Sequence, residues 1–233
     1  MSGKGKLPLS VAVITLNEED RLPDCLSSVS FAADLVVVDS GSSDRTVGIA
    51  REYGARVFEE AWRGFGPQKQ FAIEQCLHDW VLVLDADERI PAETAAEIEE
   101  ALRHPGHAAF SFPRKNYFMG RWMRHSGWWP DRVIRLFDKA RCRMSANLVH
   151  ESVSTAGSVG KMTNPIIHFT SKGLAQTVEK INRYSGAGAE ELFRGGSKAG
   201  IGTAVLRGGW AFFSTYFIRL GFLDGSPGLV NAV

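Results

Sequence analysis

The sequence predicts an α/β fold built on a mostly parallel, doubly wound sheet with helices on both faces. Three observations predict it. Short apolar, β-branched runs recur at Val11–Ile14, Leu35–Val38 and Trp80–Leu84. Segments with helix start and stop residues lie between and after them. Each run passes directly into a polar loop that carries carboxylates, as strands do at the binding edge of an open α/β sheet.

The first run, Val11-Ala12-Val13-Ile14, leads into Thr15-Leu16-Asn17-Glu18-Glu19-Asp20. The second ends in Asp39-Ser40-Gly41-Ser42-Ser43-Asp44-Arg45-Thr46. There Gly41 permits a tight turn, and the Ser and Asp residues suit helix N-caps. Val47 to Tyr53 reads as a helix that Gly54 stops. Ala55 to Phe58 is a candidate strand, and Gln68 to Leu77 a candidate helix. The third run, Trp80 to Leu84, delivers Asp85-Ala86-Asp87. Pro91 then opens a helix with Glu93 in its first turn, suited to the positive end of the dipole. It ends near Pro105-Gly106, and Ala108 to Phe112 reads as a further strand. No G-x-G-x-x-G follows the first strand, which disfavours a dinucleotide-dependent oxidoreductase.

Two carboxylates one residue apart at a strand's carboxyl end are hard oxygen ligands. They suit Mg²⁺ or Mn²⁺ held together with phosphate oxygens. The alternative is an Asp-rich turn with a helix cap at Glu88 or beyond. In a parallel sheet the three strand ends share one edge, where a ligand crevice is expected.

Composition bounds the reading. The 233 residues fit one compact domain, with or without a terminal appendage, and 44% of them are apolar. With 27 basic and 26 acidic residues, the molecule as a whole is no polyanion binder. Cys25, Cys76 and Cys142 are too few and too far apart for a zinc site or a disulfide framework. They fit a reducing compartment. The basic start, Met1 to Lys6, is followed by no apolar signal core, so no secretory signal is expected.

The pattern changes after Arg114. Nine basic residues lie between Arg114 and Arg143, opposed by Asp131 and Asp138 alone and interleaved with Tyr117, Phe118, Trp122, Trp128, Trp129 and Phe137. Such a segment can face a phosphorylated sugar, a membrane or single-stranded nucleic acid, or it can be a solvated loop whose aromatics fill the core. Beyond Asn164-Pro165-Ile166-Ile167-His168, a polar helix is expected from Leu174 to Arg194, then a glycine-rich break. Gly208 to Ile218 is apolar and aromatic between Arg207 and Arg219. It is too short to span a bilayer, so it reads as an interfacial helix or as one packed on the rest of the chain.

These residues together resemble the family 2 glycosyltransferases of the GT-A fold. The similarity is carried by Thr15-Leu16-Asn17-Glu18-Glu19, Val38 to Thr46 and Leu84-Asp85-Ala86-Asp87-Glu88-Arg89. Arg135-Leu136-Phe137, Val149-His150-Glu151 and Lys180 to Ser185 resemble the lipopolysaccharide-core β-1,4-glucosyltransferase branch. The resemblance covers roughly Leu9 to Asp224, and it implies an inverting, metal-dependent transfer of a hexose. The donor is expected to be a UDP-sugar, with UDP-glucose the first choice, and the acceptor a lipid-linked inner-core sugar. By resemblance Asp87 is the main metal ligand, and Asp85 faces ribose or metal with Ala86 between them. Asp39 binds the uracil ring, with Ser40, Gly41 and Ser42 in its loop. Thr15, Leu16, Asn17 and Glu19 close around the nucleoside, and Lys69 reaches the diphosphate or is a solvated helix lysine. The family's usual Glu-Asp base pair is absent here, so Glu151 is the first candidate for general base and Asp131 the second. His150 is a metal or diphosphate ligand, or a hydrogen-bonded structural histidine. In relatives the apolar tail often continues further.

The expected organisation is a flexible start (1–8), a nucleotide-sugar half (9–113), an acceptor-side half (114–194) and an apolar, membrane-associated end (195–233). The expected location is cytoplasmic, peripheral on the cytoplasmic face of the inner membrane, with an anionic membrane surface as partner and no nucleic acid. Transfer to a polyprenyl phosphate is the alternative within the enzyme class. A basic-aromatic RNA-binding module is the alternative outside it, but it leaves the three carboxylate-bearing strand ends unexplained.

Overall fold

The computed structural model describes residues 5–145, 152–170 and 200–233, together with Val178, Ser185, Gly186 and Gly196. The expected helix from Leu174 to Arg194 and the Val149-His150-Glu151 motif lie almost wholly or wholly outside these residues.

The chain forms two compact units. The first comprises Met1–Arg114 and Arg132–His168, and the second Lys115–Asp131 and Phe169–Val233. Neither unit is continuous in sequence, whereas the sequence reading divides the chain linearly.

In the first unit, strand β1 (Leu7–Thr15) pairs in parallel with β2 (Ala32–Asp39) and β4 (Trp80–Asp85), and β3 (Arg56–Glu59) extends the sheet beyond β2. β1 begins within the stretch expected to be flexible. Helices α1 (Leu22–Ser28), α2 (Thr46–Glu52), α3 (Phe65–Glu74) and α4 (Ala92–Arg103) separate the strands. The strands alternate faces with a period of two. Leu9, Val11, Val13, Leu35, Val37, Leu82 and Leu84 enter one core with Leu22, Leu26, Ile49 and Ile98. Ala12, Val36, Val38, Val81 and Val83 enter the other with Ala72, Ile73 and Cys76. A sheet covered on both faces explains why these runs are apolar throughout. Pro91 stands at the start of α4, and Gly54 takes φ +75° after α2, as the sequence leads one to expect.

The sheet continues through β8 (Asp131–Asp138), antiparallel to β4 with Leu82 opposite Leu136. Beyond it come β6 (Ala109–Phe118), β12 (Ile166–Phe169) and the short β5 (Glu88–Arg89), which pairs antiparallel with β12 so that His168 faces Glu88. β11 (Val159–Lys161) joins β6, and β9 (Cys142–Met144) pairs with β10 (Val153–Thr155). α1 and β8 have no counterpart in the sequence reading. The stretch holding β8, Asp131-Arg132-Val133-Ile134-Arg135-Leu136-Phe137-Asp138, shows no period-two alternation, and its charges interrupt any apolar run.

In the second unit, β7 (Arg121–Trp122) pairs with the end of β6. Helix α5 (Ile201–Phe213) runs into a π-helical turn at Ser214–Ile218 and a 3₁₀ turn at Gly221–Asp224. A last helix, α6 (Ser226–Ala232), packs so closely that a Cβ on Gly228 would stand 1.9 Å from the Gly221 carbonyl oxygen. No helix among the described residues is long and apolar enough to cross a membrane.

Asp34 fastens the edge of the first unit remote from the polar strand ends. Its carboxylate accepts bonds from Ser10 Oγ (2.7 Å), the Leu77 N–H (3.0 Å) and both Arg56 Nε and Nη2 (3.0 Å each). Burial pushes its carboxyl up, but the Arg56, Leu77 and Ser10 bonds outweigh this and leave it below its ordinary value. Arg56 is over a third exposed, so its charge counts for less than its geometry suggests. A depressed pKa adds stability above the unfolded value, near about 3.9, and that stability is lost as pH falls through the folded value. Asp34→Ala is expected to cost about 2–4 kcal/mol in urea unfolding at neutral pH. The difference from wild type should shrink as the pH is taken below the folded value. A pH-independent difference would show that the carboxylate's charge is not what stabilises this edge.

Candidate active site

Register brings the polar strand ends together. Thr15 lies opposite Asp39, and Ile14 lies opposite Asp85, so the loops after β1, β2 and β4 share one edge of the first unit.

The loops after β1 and β2 interlock. Asp39 is 1% exposed and accepts four bonds. Thr15 Oγ1 (3.0 Å) and Ser42 Oγ reach one oxygen, and the N–H groups of Gly41 (2.9 Å) and Ser42 (2.7 Å) reach the other. Gly41 takes φ +95°, a backbone region that glycine enters without strain. Asn17 Oδ1 accepts from the Ser43 N–H (2.8 Å), and the Asn17 N–H donates to Ser42 Oγ (2.8 Å). Glu19 accepts from the Arg45 N–H (3.0 Å), and the Glu18 N–H donates to Thr46 Oγ1 (2.8 Å). Ser40 donates its N–H to the Thr15 carbonyl (2.9 Å) and accepts from Gln68 Nε2 (3.2 Å). Leu16 is half exposed at the lip of this loop. A carboxylate has about four acceptor positions. A uracil N–H could therefore reach Asp39 only where Thr15 or Ser42 releases one.

The Asp85-Ala86-Asp87-Glu88-Arg89 turn forms the second part. Asp85 Oδ1 lies 2.7 Å from Lys69 Nζ, and its Oδ2 lies 2.6 Å from Arg135 Nη2. The same Arg135 nitrogen is 2.7 Å from Glu88 Oε1, while Glu88 Oε2 accepts the Asp85 N–H at 3.1 Å. Arg114 approaches Glu88 at 3.5 Å. Lys69 is 1% exposed and Glu88 0%. Lys69 thus lies beneath Asp85 and not in solvent. Burial alone would raise the Asp85 carboxyl, but the Arg135 and Lys69 charges hold it well below the usual carboxylate range. Ala86 is buried in the core, and Arg89 clamps the turn through the carbonyls of Ala86, Glu88 and Arg21 at 2.7–2.8 Å.

Asp87 differs. Its Oδ2 lies 3.4 Å from Arg21 Nη1 and 3.5 Å from His168 Nε2. Burial pushes its carboxyl up, yet His168 and Arg21 bring it below its ordinary value against the opposing charge of Asp85. Its Oδ1 is buried with no hydrogen-bond partner among the described residues. A carboxylate oxygen in that state is costly unless a cation or water meets it. One carboxylate together with substrate phosphates is a normal ligand set for Mg²⁺. The residues present therefore fit such an ion. Among the described residues no group of three or more His, Cys, Asp or Glu gathers to hold a metal without a substrate.

The structure therefore brings together Lys69, Asp85 and Asp87, and separately the Thr15–Glu19 and Asp39–Ser42 loops. Asp131 lies in the second unit, where it accepts from Asn116 Nδ2 at 3.2 Å. His150 and Glu151 lie outside the described residues. Sequence reasoning missed Arg135, Glu88 and Arg21 as parts of the site, and ranked His168 below His150 as a metal or diphosphate ligand. Arg135 and Glu88 stood inside motifs that carry the family resemblance, which was the available signal. The cysteines are buried, and burial pushes the Cys25 and Cys76 thiols up to about 12, which leaves them protonated at neutral pH.

Residues 10–157 match the family model described as glycosyl transferase family 2. The chain belongs to that family. It is a glycosyltransferase with a GT-A-type mixed sheet and additional C-terminal helices. It is 32% identical over 233 residues to the lipopolysaccharide core biosynthesis glycosyltransferase LpsC of Rhizobium meliloti, across 94% of this chain and 83% of that one. It is 31% identical to the uncharacterized glycosyltransferase RT0209 of Rickettsia typhi, across 97% and 82%. Among solved structures, S. aureus TarS residues 1–349 match with a TM-score of 0.55 at 18% identity, over 70% of this chain and 60% of that one. The same TarS residues in complex with UDP-GlcNAc match over 97% and 79%, also at 0.55 and 18%.

Proposed function

We propose that this glycosyltransferase moves a hexose from a UDP-sugar, with UDP-glucose the first choice, onto a lipid-linked inner-core sugar of lipopolysaccharide, with inversion and with Mg²⁺ or Mn²⁺. The observation that carries the donor side is Asp87 Oδ1, a buried carboxylate oxygen without a donor among the described residues, on the edge where three strand ends meet. Similarity to LpsC supports the acceptor class. The shared fold of TarS, which has been captured with UDP-GlcNAc, supports the donor class.

In this reading the Thr15–Glu19 and Asp39–Ser42 loops form the nucleoside wall. Asp39 serves base recognition through the loop it fixes, and directly where one of its donors yields. Asp85, held ionised over Lys69 and Arg135, faces the ribose side, and Asp87 holds the ion, with His150 a further candidate ligand. When bound, the ion neutralises charge on the leaving diphosphate. The acceptor oxygen bonds to the anomeric carbon as the bond to the diphosphate oxygen breaks. The acceptor's proton passes to a carboxylate base, and UDP departs. Glu151 is the proposed base and Asp131 the second choice.

The second unit suggests where the acceptor is met. No residue of α5 is buried, and Ile201, Leu206 and Trp210 are 87%, 76% and 64% exposed. Phe213, Phe217 and Ile218 extend this apolar face between Arg207 and Arg219. Exposed aromatic and aliphatic area flanked by arginine suits the headgroup region of an anionic membrane. We therefore propose peripheral attachment there, on the cytoplasmic face of the inner membrane.

Three measurements test this reading. Asp87→Ala is expected to abolish UDP release from UDP-glucose while leaving cooperative unfolding intact, and EDTA should do the same to wild type. Full activity in either case would exclude the metal-diphosphate reading. Glu151→Gln should lower turnover by about 10²–10⁴ with UDP affinity kept. An active Glu151→Gln beside a dead Asp131→Asn would transfer the role to Asp131. The protein should co-sediment with anionic vesicles at low salt, and less so in high salt or when Phe212, Phe213 and Phe217 are changed to Ser. Protein left in the supernatant at low salt would refute attachment.

A further inference from the structure

We propose that Arg135 is a positioning residue that locks the Asp85–Glu88 turn, so that Asp87 alone presents an oxygen to the metal while Asp85 serves as a strut. The inference rests on the metal reading of Asp87 given above and assigns the roles within that turn.

The geometry is a closed ring. One Arg135 nitrogen binds Asp85 Oδ2 at 2.6 Å and Glu88 Oε1 at 2.7 Å. Glu88 Oε2 closes the ring on the Asp85 N–H at 3.1 Å. The first and last residues of a four-residue turn are thereby tied to one guanidinium. That group is carried on β8, antiparallel to the strand that delivers Asp85. Lys69 takes the other Asp85 oxygen at 2.7 Å. Both Asp85 oxygens therefore rest on cations that are 1–7% exposed, and swinging either one toward a metal would give up a short ion pair to a buried cation. Asp87 lies inside the ring in sequence but takes no part in it, and its Oδ1 has no donor among the described residues. Arginine suits the task because its planar guanidinium holds that nitrogen in a fixed orientation between the two carboxylates, whereas the lysine ammonium is a point charge on a flexible stem. Partners that orient a metal-binding side chain usually matter about 10–100-fold in metal affinity.

The test uses the full chain with Mn²⁺ and UDP. Mn²⁺ binding in the presence of UDP is read by electron paramagnetic resonance, UDP affinity in EDTA by calorimetry, and folding by thermal unfolding. Arg135→Lys is expected to weaken Mn²⁺ binding by about 10–100-fold. UDP affinity in EDTA and cooperative unfolding should both be retained. Glu88→Gln opens the same ring, so it should give the same loss, and the double variant should be no worse than either single one. Wild-type-like Mn²⁺ binding in both single variants would overturn the proposal. So would a loss of Mn²⁺ binding matched by an equal loss of metal-free UDP binding, which would mark general damage. Should Arg135→Lys fail to fold, Glu88→Gln decides on the same readouts. Wild-type protein that binds no Mn²⁺ with UDP would remove the metal reading itself and this inference with it. Wild-type binding with unaffected variants removes only the inference.

Discussion

The pairing of Asp85 and Glu88 with Lys69 and Arg135 is the constraint on which the rest of the first unit depends. Two carboxylates and two cations meet there with almost no exposure for Lys69, Glu88 or Arg135. Taking such charges out of water is costly, and their mutual attraction offsets this only when every member is present. The four residues come from α3, β4, β5 and β8. The cluster therefore ties the parallel half of the sheet to the antiparallel strands beside it, at the edge where the polar strand ends meet. Fold and site cannot be separated at this point, because the same ion pairs that seat β8 also set the turn that carries Asp87.

The second cluster solves a different problem. Thr15 to Asp20 is an acidic loop beside a site proposed to receive a diphosphate, an arrangement that invites repulsion. Part of the acidity of this loop and of the neighbouring one is engaged by backbone N–H groups and hydroxyls. Glu19 accepts an Arg45 N–H, Asp44 accepts the N–H groups of Glu19 and Thr46, and Asp39 accepts four bonds. These carboxylates hold the backbone at the start of α2 and join two loops that are distant in sequence. Hydrogen bonds to ionised acceptors are among the stronger ones, so the loop pair is preformed and needs no ligand to organise it.

The core strands and the edge they share were legible in the sequence because they depend on local signals. Unbroken apolar runs identify doubly covered strands, and Gly54 and Pro91 punctuate the helices. The partners that bury a charge were not legible. Lys69 looks like a solvated helix lysine until the fold brings Asp85 against it. The basic stretch from Arg114 to Arg143 reads as a surface, yet two of its arginines act as struts, Arg135 from the interior and Arg132 from an exposed position. Arg132 donates to the carbonyls of Ser111 (2.9 Å) and Met162 (2.7 Å), and Arg135 bridges two acids. Charge pattern reports how many ions a segment carries, and only tertiary pairing decides which of them face water. α1 escaped for another reason, since seven residues with Pro near the start carry too little periodicity to declare a helix.

The second unit shows the opposite arrangement, with apolar groups outside and a charge inside. Asp224 is 2% exposed and accepts the N–H groups of Arg124 (3.1 Å) and His125 (2.9 Å). The Ser126 N–H donates to the Arg219 carbonyl at 2.8 Å, and Arg121 Nη2 to that of Leu223 at 3.1 Å. With the 3.0 Å contact between His125 Nδ1 and Asp224 Oδ1, the chain that follows the aromatic run is thus fastened to the Arg121–Ser126 loop by five bonds. A loosely attached tail would expose its apolar residues by default, and its exposure would carry no meaning. Here the anchoring is specific, while α5 and its π-helical extension still bury none of their side chains. A contiguous apolar face held in place at its end marks a surface built to be covered. On the proposed reading, its aromatic composition, bracketed by Arg207 and Arg219, suits a lipid interface as that cover.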